Sequence, residues 1–121
     1  MNPKQIKQGD IYFCLLGDGE GSEQTGERPC LVIQVNALND TSPNVIVVPI
    51  TSKKKKSLPT HYVLDGSKYT FLIYRTNTVL CESIRALSKT RLVRYIGSID
   101  QMDLNAILLT KENCFREVNK V

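Results

Sequence analysis

One arginine stands between a polar, glycine-rich stretch and an apolar one: residues 21–29 read GSEQTGERP, and CLVIQV follows. A guanidinium at the rim of a strand, here Arg28, suits a phosphate. Its planar fork meets two oxygens at once and keeps its charge at any working pH. Thr51 closes a second apolar run, VIVVPIT at 45–51, so its hydroxyl can face the same rim. Backbone N–H groups of residues 19–26 can add an anion nest. Taken alone, the pattern also fits a solvated or ion-paired arginine at a strand start.

Other residue types exclude much. No P-loop or Rossmann glycine pattern leads from a strand into a helix, and no Ser–His–Asp spacing stands out. The one histidine, His61 in LPTHYVL, has no second histidine for paired acid–base work and no marked partner. Its expected place is a strand start, bonded to nearby backbone. Cys14, Cys30, Cys81 and Cys114 form no CxxC pair, so neither a zinc site nor a disulfide framework is expected. The first three lie in apolar runs and read as reduced, buried small hydrophobes. No metal or other cofactor is expected.

The chain has 121 residues, suited to one domain spanning 1–121, and a net charge of +4. That charge is a mild bias toward anions. It is unevenly placed: KKKK fills 53–56, and Arg85, Lys89, Arg91 and Arg94 fall close together. No apolar run approaches the ~20 residues that span a bilayer. MNPKQIKQGD has no apolar signal core, so a cytoplasmic place without membrane contact is expected.

The elements that must position Arg28 and Thr51 are mostly strands. They read at 10–16, 29–35, 45–51, 60–64, 69–74, 77–87 and 92–99. THYVL and YTFLIY form a hairpin about DGSK, and ALNDTSPN and SKTR are turns. In 77–87, Val79, Cys81 and Ser83 alternate against Leu80, Glu82 and Ile84. Pro49 implies a bulge or an edge near the end of its strand. Asp100 caps a helix with Asp103 in its first turn, and Leu104, Ile107 and Leu108 pack down. Seven short strands imply a strongly bent sheet or small barrel, covered by one C-terminal helix.

Five stretches in order then carry a resemblance: KQGDIYFCLL, GSEQTGERPCLVIQ, SPNVIVVPIT, LPTHYVL and CESIRALSKTRL. Together, over roughly residues 7–108, the sequence resembles the MazF/PemK family of type II toxin–antitoxin ribonucleases. The resemblance implies a mainly β, SH3-like small barrel that dimerises. It implies a metal-independent endoribonuclease that cuts single-stranded RNA at a short sequence, leaving 2′,3′-cyclic phosphate and 5′-OH ends. The family's RP arginine and IT threonine, here Arg28 and Thr51, are then catalytic.

Ser22, Glu23 and Gln24, in a mobile loop over 17–27, and Lys53, Lys54, Glu82 and Ser83 are then RNA-binding. Glu82 orders the site or pairs with an arginine such as Arg85. Ser83 stands where the family pattern EQIR has glutamine, so base recognition is expected to differ. The implied protein partner is an acidic antitoxin, and DNA is reached only through it. A catalytically silent barrel that binds a protein or nucleic acid is the competing reading. A single-strand-binding module fits less well: the chain has five Tyr, three Phe and no Trp, expected mostly in strand cores.

Overall fold

Strand β3, Asn44–Thr51, organises the sheet because its β-branched run, NVIVVPIT, is buried from Val47 onward. The computed structural model describes residues 5–117. The other strands are β1 (Asp10–Leu15), β2 (Glu27–Val32), β4 (His61–Asp65), β5 (Thr76–Leu80), β6 (Arg85–Ser88) and β7 (Leu92–Ser98). They form one seven-stranded sheet ordered β4-β5-β3-β2-β1-β7, with β6 also paired to β3. β6 takes Asn44–Val47 of β3 and β5 takes Ile50–Thr51. Pro49 falls between these two pairings, where a missing N–H on that side costs least.

Alternation along the strands sorts side chains onto two faces. Cys30 and Val32 of β2 join Tyr12, Cys14, Val45 and Val47 in one cluster. Leu87 of β6 and Leu92 of β7 pack into the same cluster. The two ends of the β6-β3-β2-β1-β7 path therefore curl around it as a small barrel. Two register shifts in the β1–β7 ladder, beside Tyr12 and Phe13, add to the bend. The outer face carries Leu31, Ile33, Val48 and Ile50, covered by Leu64, Tyr69, Val79 and Ile107.

Helix α1 spans Asn36–Thr41 and helix α2 spans Gln101–Lys111. Asp100 caps α2 by accepting from Asp103 N at 2.9 Å, and Leu104 and Ile107 are buried beneath it. Asp103 also accepts from Tyr62 Oη at 2.6 Å, from Lys68 Nζ at 2.9 Å and from Tyr69 Oη. The helix is thus tied to β4 and to the loop that follows it.

Three expectations are corrected. ALNDTSPN holds all but the first residue of α1, anchored by the buried Asn39, whose Nδ2 donates to Gln34 O at 2.9 Å. YTFLIY is a loop, and β4 pairs with Thr76–Leu80 instead. Its buried residues, Tyr69 and Leu72, are three apart, a turn spacing joined by Leu72 N to Tyr69 O at 2.9 Å. At the loop's neck a Cβ on Gly66 would lie 2.0 Å from Tyr74 O, so only glycine fits. The 77–87 strand is broken by a 3-10 turn at Cys81–Ser83, where the chain crosses from one pairing on β3 to the other.

Candidate active site

The strand registers set out a row across the sheet. Cys14 pairs with Arg28, Thr51 with Thr78, and Thr78 with Val63. Between them, β2 and β3 pair Cys30 with Pro49 and Leu31 with Val48. The same register carried on by two residues sets Arg28 across from Thr51. By alternation Arg28 follows Cys30 and Thr51 follows Val47, both on the barrel-interior face. The observed ladder stops at Cys30 and Pro49, so this juxtaposition is an extension of the register, and the cavity that Arg28 lines holds Ile50 and Ser52 rather than Thr51.

Arg28 is half-buried, and its Nε donates to Thr25 O at 2.9 Å. Among the described residues its two Nη groups have no hydrogen bond or ion pair, which leaves a cationic fork for an anion. Thr51 is only 2% exposed, and its Oγ1 accepts from Lys53 N at 3.2 Å. The hydroxyl proton remains free to donate.

The loop between β1 and β2 is closed at its neck by Leu16 N to Gly26 O at 2.8 Å and Gly26 N to Gly17 O at 3.0 Å. Gly17 and Gly26 both take positive φ, which the neck requires. Glu23 accepts from Glu20 N at 2.6 Å, so its carboxylate shapes the loop tip. Ser22, Glu23 and Gln24 line a cavity of about 500 Å³ with Glu82, Ser83 and Arg85. Gln24 Oε1 is buried with no hydrogen-bond partner among the described residues.

Lys53 and Lys54 line a separate groove of about 400 Å³, with Lys55, His61, Thr76 and Thr78. Two expectations change at its wall. His61 is bonded to a carboxylate rather than to backbone, with Nε2 2.9 Å from Glu82 Oε2. Glu82 accordingly pairs with His61, not with Arg85, and also accepts from Thr60 Oγ1 at 2.8 Å. Burial opposes the Glu82 charge, but the bonds from His61, its own backbone N–H and Thr60 outweigh it and hold its pKa below the usual value.

A third cavity, about 540 Å³, is lined by Arg28 itself with Phe13, Phe71, Tyr74, Tyr95 and Arg94. The Arg94 guanidinium sits 4.7 Å from the centre of the Phe13 ring. Aromatic rings are thus not confined to strand cores: only Tyr12 and Tyr69 are buried. Arg85 was legible as a basic residue but not as part of the site. Strict alternation through 77–87 misplaces its face, because the turn at Cys81–Ser83 resets the period. Among the described residues no cluster of His, Cys, Asp and Glu is placed to hold a metal ion. The cysteines are free, with Cys14, Cys30 and Cys81 buried.

The site thus combines a small β barrel, an arginine with no ion pair among the described residues and a separate groove lined by lysines. The profile of the PemK-like, MazF-like toxin of type II toxin-antitoxin system matches residues 7–110, and the chain belongs to that family. It is 44% identical over 96 residues to Endoribonuclease EndoA of Bacillus subtilis, covering 78% of this chain and 81% of that protein. It is 41% identical over 88 residues to Endoribonuclease MazF of Staphylococcus saprophyticus, covering 72% of each.

Among solved structures, it resembles an endoribonuclease in complex with its cognate antitoxin from a mycobacterial species. The TM-score is 0.71 at 25% identity, over 90% of this chain and 93% of that one. The MazF of Deinococcus radiodurans shares the fold, with a TM-score of 0.76 at 20% identity, over 92% and 96% of the two chains. Among the described residues no helix is long and apolar enough to cross a membrane.

Proposed function

We propose that this chain is the toxin of a type II toxin–antitoxin system and acts as a metal-independent endoribonuclease on single-stranded RNA. The observation that supports this reading is the β2–β3 register, which, carried two residues past Cys30 and Pro49, sets Arg28 across from Thr51, together with Arg28 Nη groups that have no partner among the described residues. The RNA 2′-OH attacks the adjacent phosphorus. The O2′–P bond forms, the P–O5′ bond breaks, the 2′-OH proton is released and O5′ takes one up. The products are a 2′,3′-cyclic phosphate and a 5′-OH.

Arg28 stabilises the charge that builds on the phosphorane oxygens, and Thr51 donates a hydrogen bond to the phosphate. An arginine's pKa is too high for ordinary acid–base work, so its role is electrostatic. Thr51 is only 2% exposed, so a local opening must precede its contact with RNA. Ser22, Gln24 and Ser83 contact bases or sugars, and Glu23 holds the loop. Lys53 and Lys54 attract the RNA backbone.

The protein works in the cytoplasm as a homodimer. An antitoxin binds it as an extended acidic segment across the basic surface, and DNA is reached only through that antitoxin. The catalytically silent alternative is less favoured, because relatives above 40% identity are named endoribonucleases. The test is digestion of a long single-stranded RNA in EDTA, followed by analysis of fragment ends. Cuts at a recurring short sequence with 5′-OH ends support the reading. Intact RNA from folded protein overturns it.

A further inference from the structure

We propose that His61 is a positioning residue for RNA recognition: by holding Glu82 it fixes the Cys81–Ser83 turn, and so sets which bases the cavity beside Ser83 accepts. This rests on the ribonuclease reading above.

His61 opens β4 and pairs with Leu80, the residue just before the turn. Its ring is 7% exposed, and Nε2 lies 2.9 Å from Glu82 Oε2. An ionised carboxylate only accepts, so Nε2 is the donor of this bond. Nδ1 is buried with no partner among the described residues. A side chain serving only to fill space would be apolar and would leave no nitrogen unpaired. The one polar contact of this ring is with a residue of the candidate site.

The grip on the turn is two-sided. Thr60 Oγ1 donates to the second Glu82 oxygen at 2.8 Å, and Cys81 N donates to Thr60 O at 3.1 Å. Ile84 N closes the turn on Cys81 O at 3.2 Å. Residues 60 and 61 therefore hold both the backbone and the carboxylate of the segment that carries Ser83 toward Gln24 and Arg85. With both oxygens engaged, Glu82 is not a free base. His61 lines the lysine groove and Glu82 the recognition cavity, so their pair is the wall between the two. An RNA strand running from one to the other crosses it.

The test compares wild type, His61→Ala, His61→Gln and Glu82→Gln on one RNA pool, reading the cleavage-site map, kcat, KM and Tm. Glutamine carries a donor at the reach of the imidazole Nε2. His61→Ala is expected to widen the set of cleaved sequences and raise KM about tenfold, as for loss of one charge-assisted hydrogen bond. Its kcat should stay within about threefold of wild type, since no reacting atom is touched. His61→Gln should restore both map and KM, and Glu82→Gln should widen the map as His61→Ala does.

A fall in kcat alone would place His61 at the reacting atoms and overturn the proposal. So would a wild-type map and KM in His61→Ala, or a loss that follows Tm with the map unchanged. If wild type cuts but the His61 variants match it, only this inference falls. If wild type cuts no RNA, the ribonuclease reading falls and takes this inference with it.

Discussion

Carried two residues beyond its last pair, Cys30 with Pro49, the β2–β3 register sets Arg28 across from Thr51, with Cys14 paired to the first and Thr78 to the second. The arginine offers unpaired N–H groups and the threonine an undonated hydroxyl proton. We propose that the two groups hold one phosphate between them.

Removing the cation should remove the chemistry. Arg28→Ala is expected to lower the RNA cleavage rate by at least ~10³-fold, the scale of losing a transition-state arginine. Tm should hold, because among the described residues the guanidinium makes only the bond to Thr25 O. Arg28→Lys should fall between, since a point charge replaces a bidentate fork. Single-turnover rates and a thermal melt on each variant check this.

Thr51→Val keeps the shape and removes the hydroxyl. Cleavage should slow by about 10²-fold, as when one oriented donor is lost. Stability should fall by about 1 kcal/mol, because Lys53 N loses its acceptor. A stability loss without a rate loss would reduce Thr51 to a structural role.

The lysines act at a distance. Replacing Lys53 and Lys54 together by alanine should weaken RNA binding and flatten its salt dependence, lowering the log–log slope by about 1. The rate at saturating RNA should stay near wild type. Titrations over a range of salt concentrations separate the two effects.

The fold's acid sensitivity should centre on Asp103. Burial raises its pKa, but the bonds from Tyr62, Tyr69 and Lys68 outweigh that and hold it below the usual value. Asp100 is lowered too, by the Asp103 N–H and then by Lys68. A depressed carboxylate lends full stability above its unfolded pKa, near 3.9, and loses it as pH falls through the lower folded value. The window therefore lies below about pH 4. Asp103→Asn should cost about 2 kcal/mol at neutral pH and remove part of that acid dependence, as denaturant melts from pH 2 to 7 would show.

Much of this was readable beforehand, for definite reasons. Arg28 precedes and Thr51 closes nearly continuous apolar runs, CLVIQV and VIVVPIT, whose composition marks them as strands. Asp100 and Asp103 announce the cap of α2 by type and spacing. The YTFLIY loop was not readable, because its apolar residues have strand composition while its buried pair, Tyr69 and Leu72, follows turn spacing. The His61–Glu82 bond was hidden for a related reason. It joins residues twenty-one apart, and strict alternation through Cys81 gives no sign of the turn that brings them together. Local pattern fixes elements, whereas contacts made by a change of pairing depend on the whole sheet.

The central claim is that Arg28 and Thr51 act on the same phosphate. A double-mutant cycle on single-turnover RNA cleavage tests it most directly, with wild type, Arg28→Ala, Thr51→Val and the double variant. The account predicts strong coupling, with the double variant no more than about threefold slower than Arg28→Ala. Losses that multiply independently, or an Arg28→Ala protein that cleaves at the wild-type rate, would contradict it.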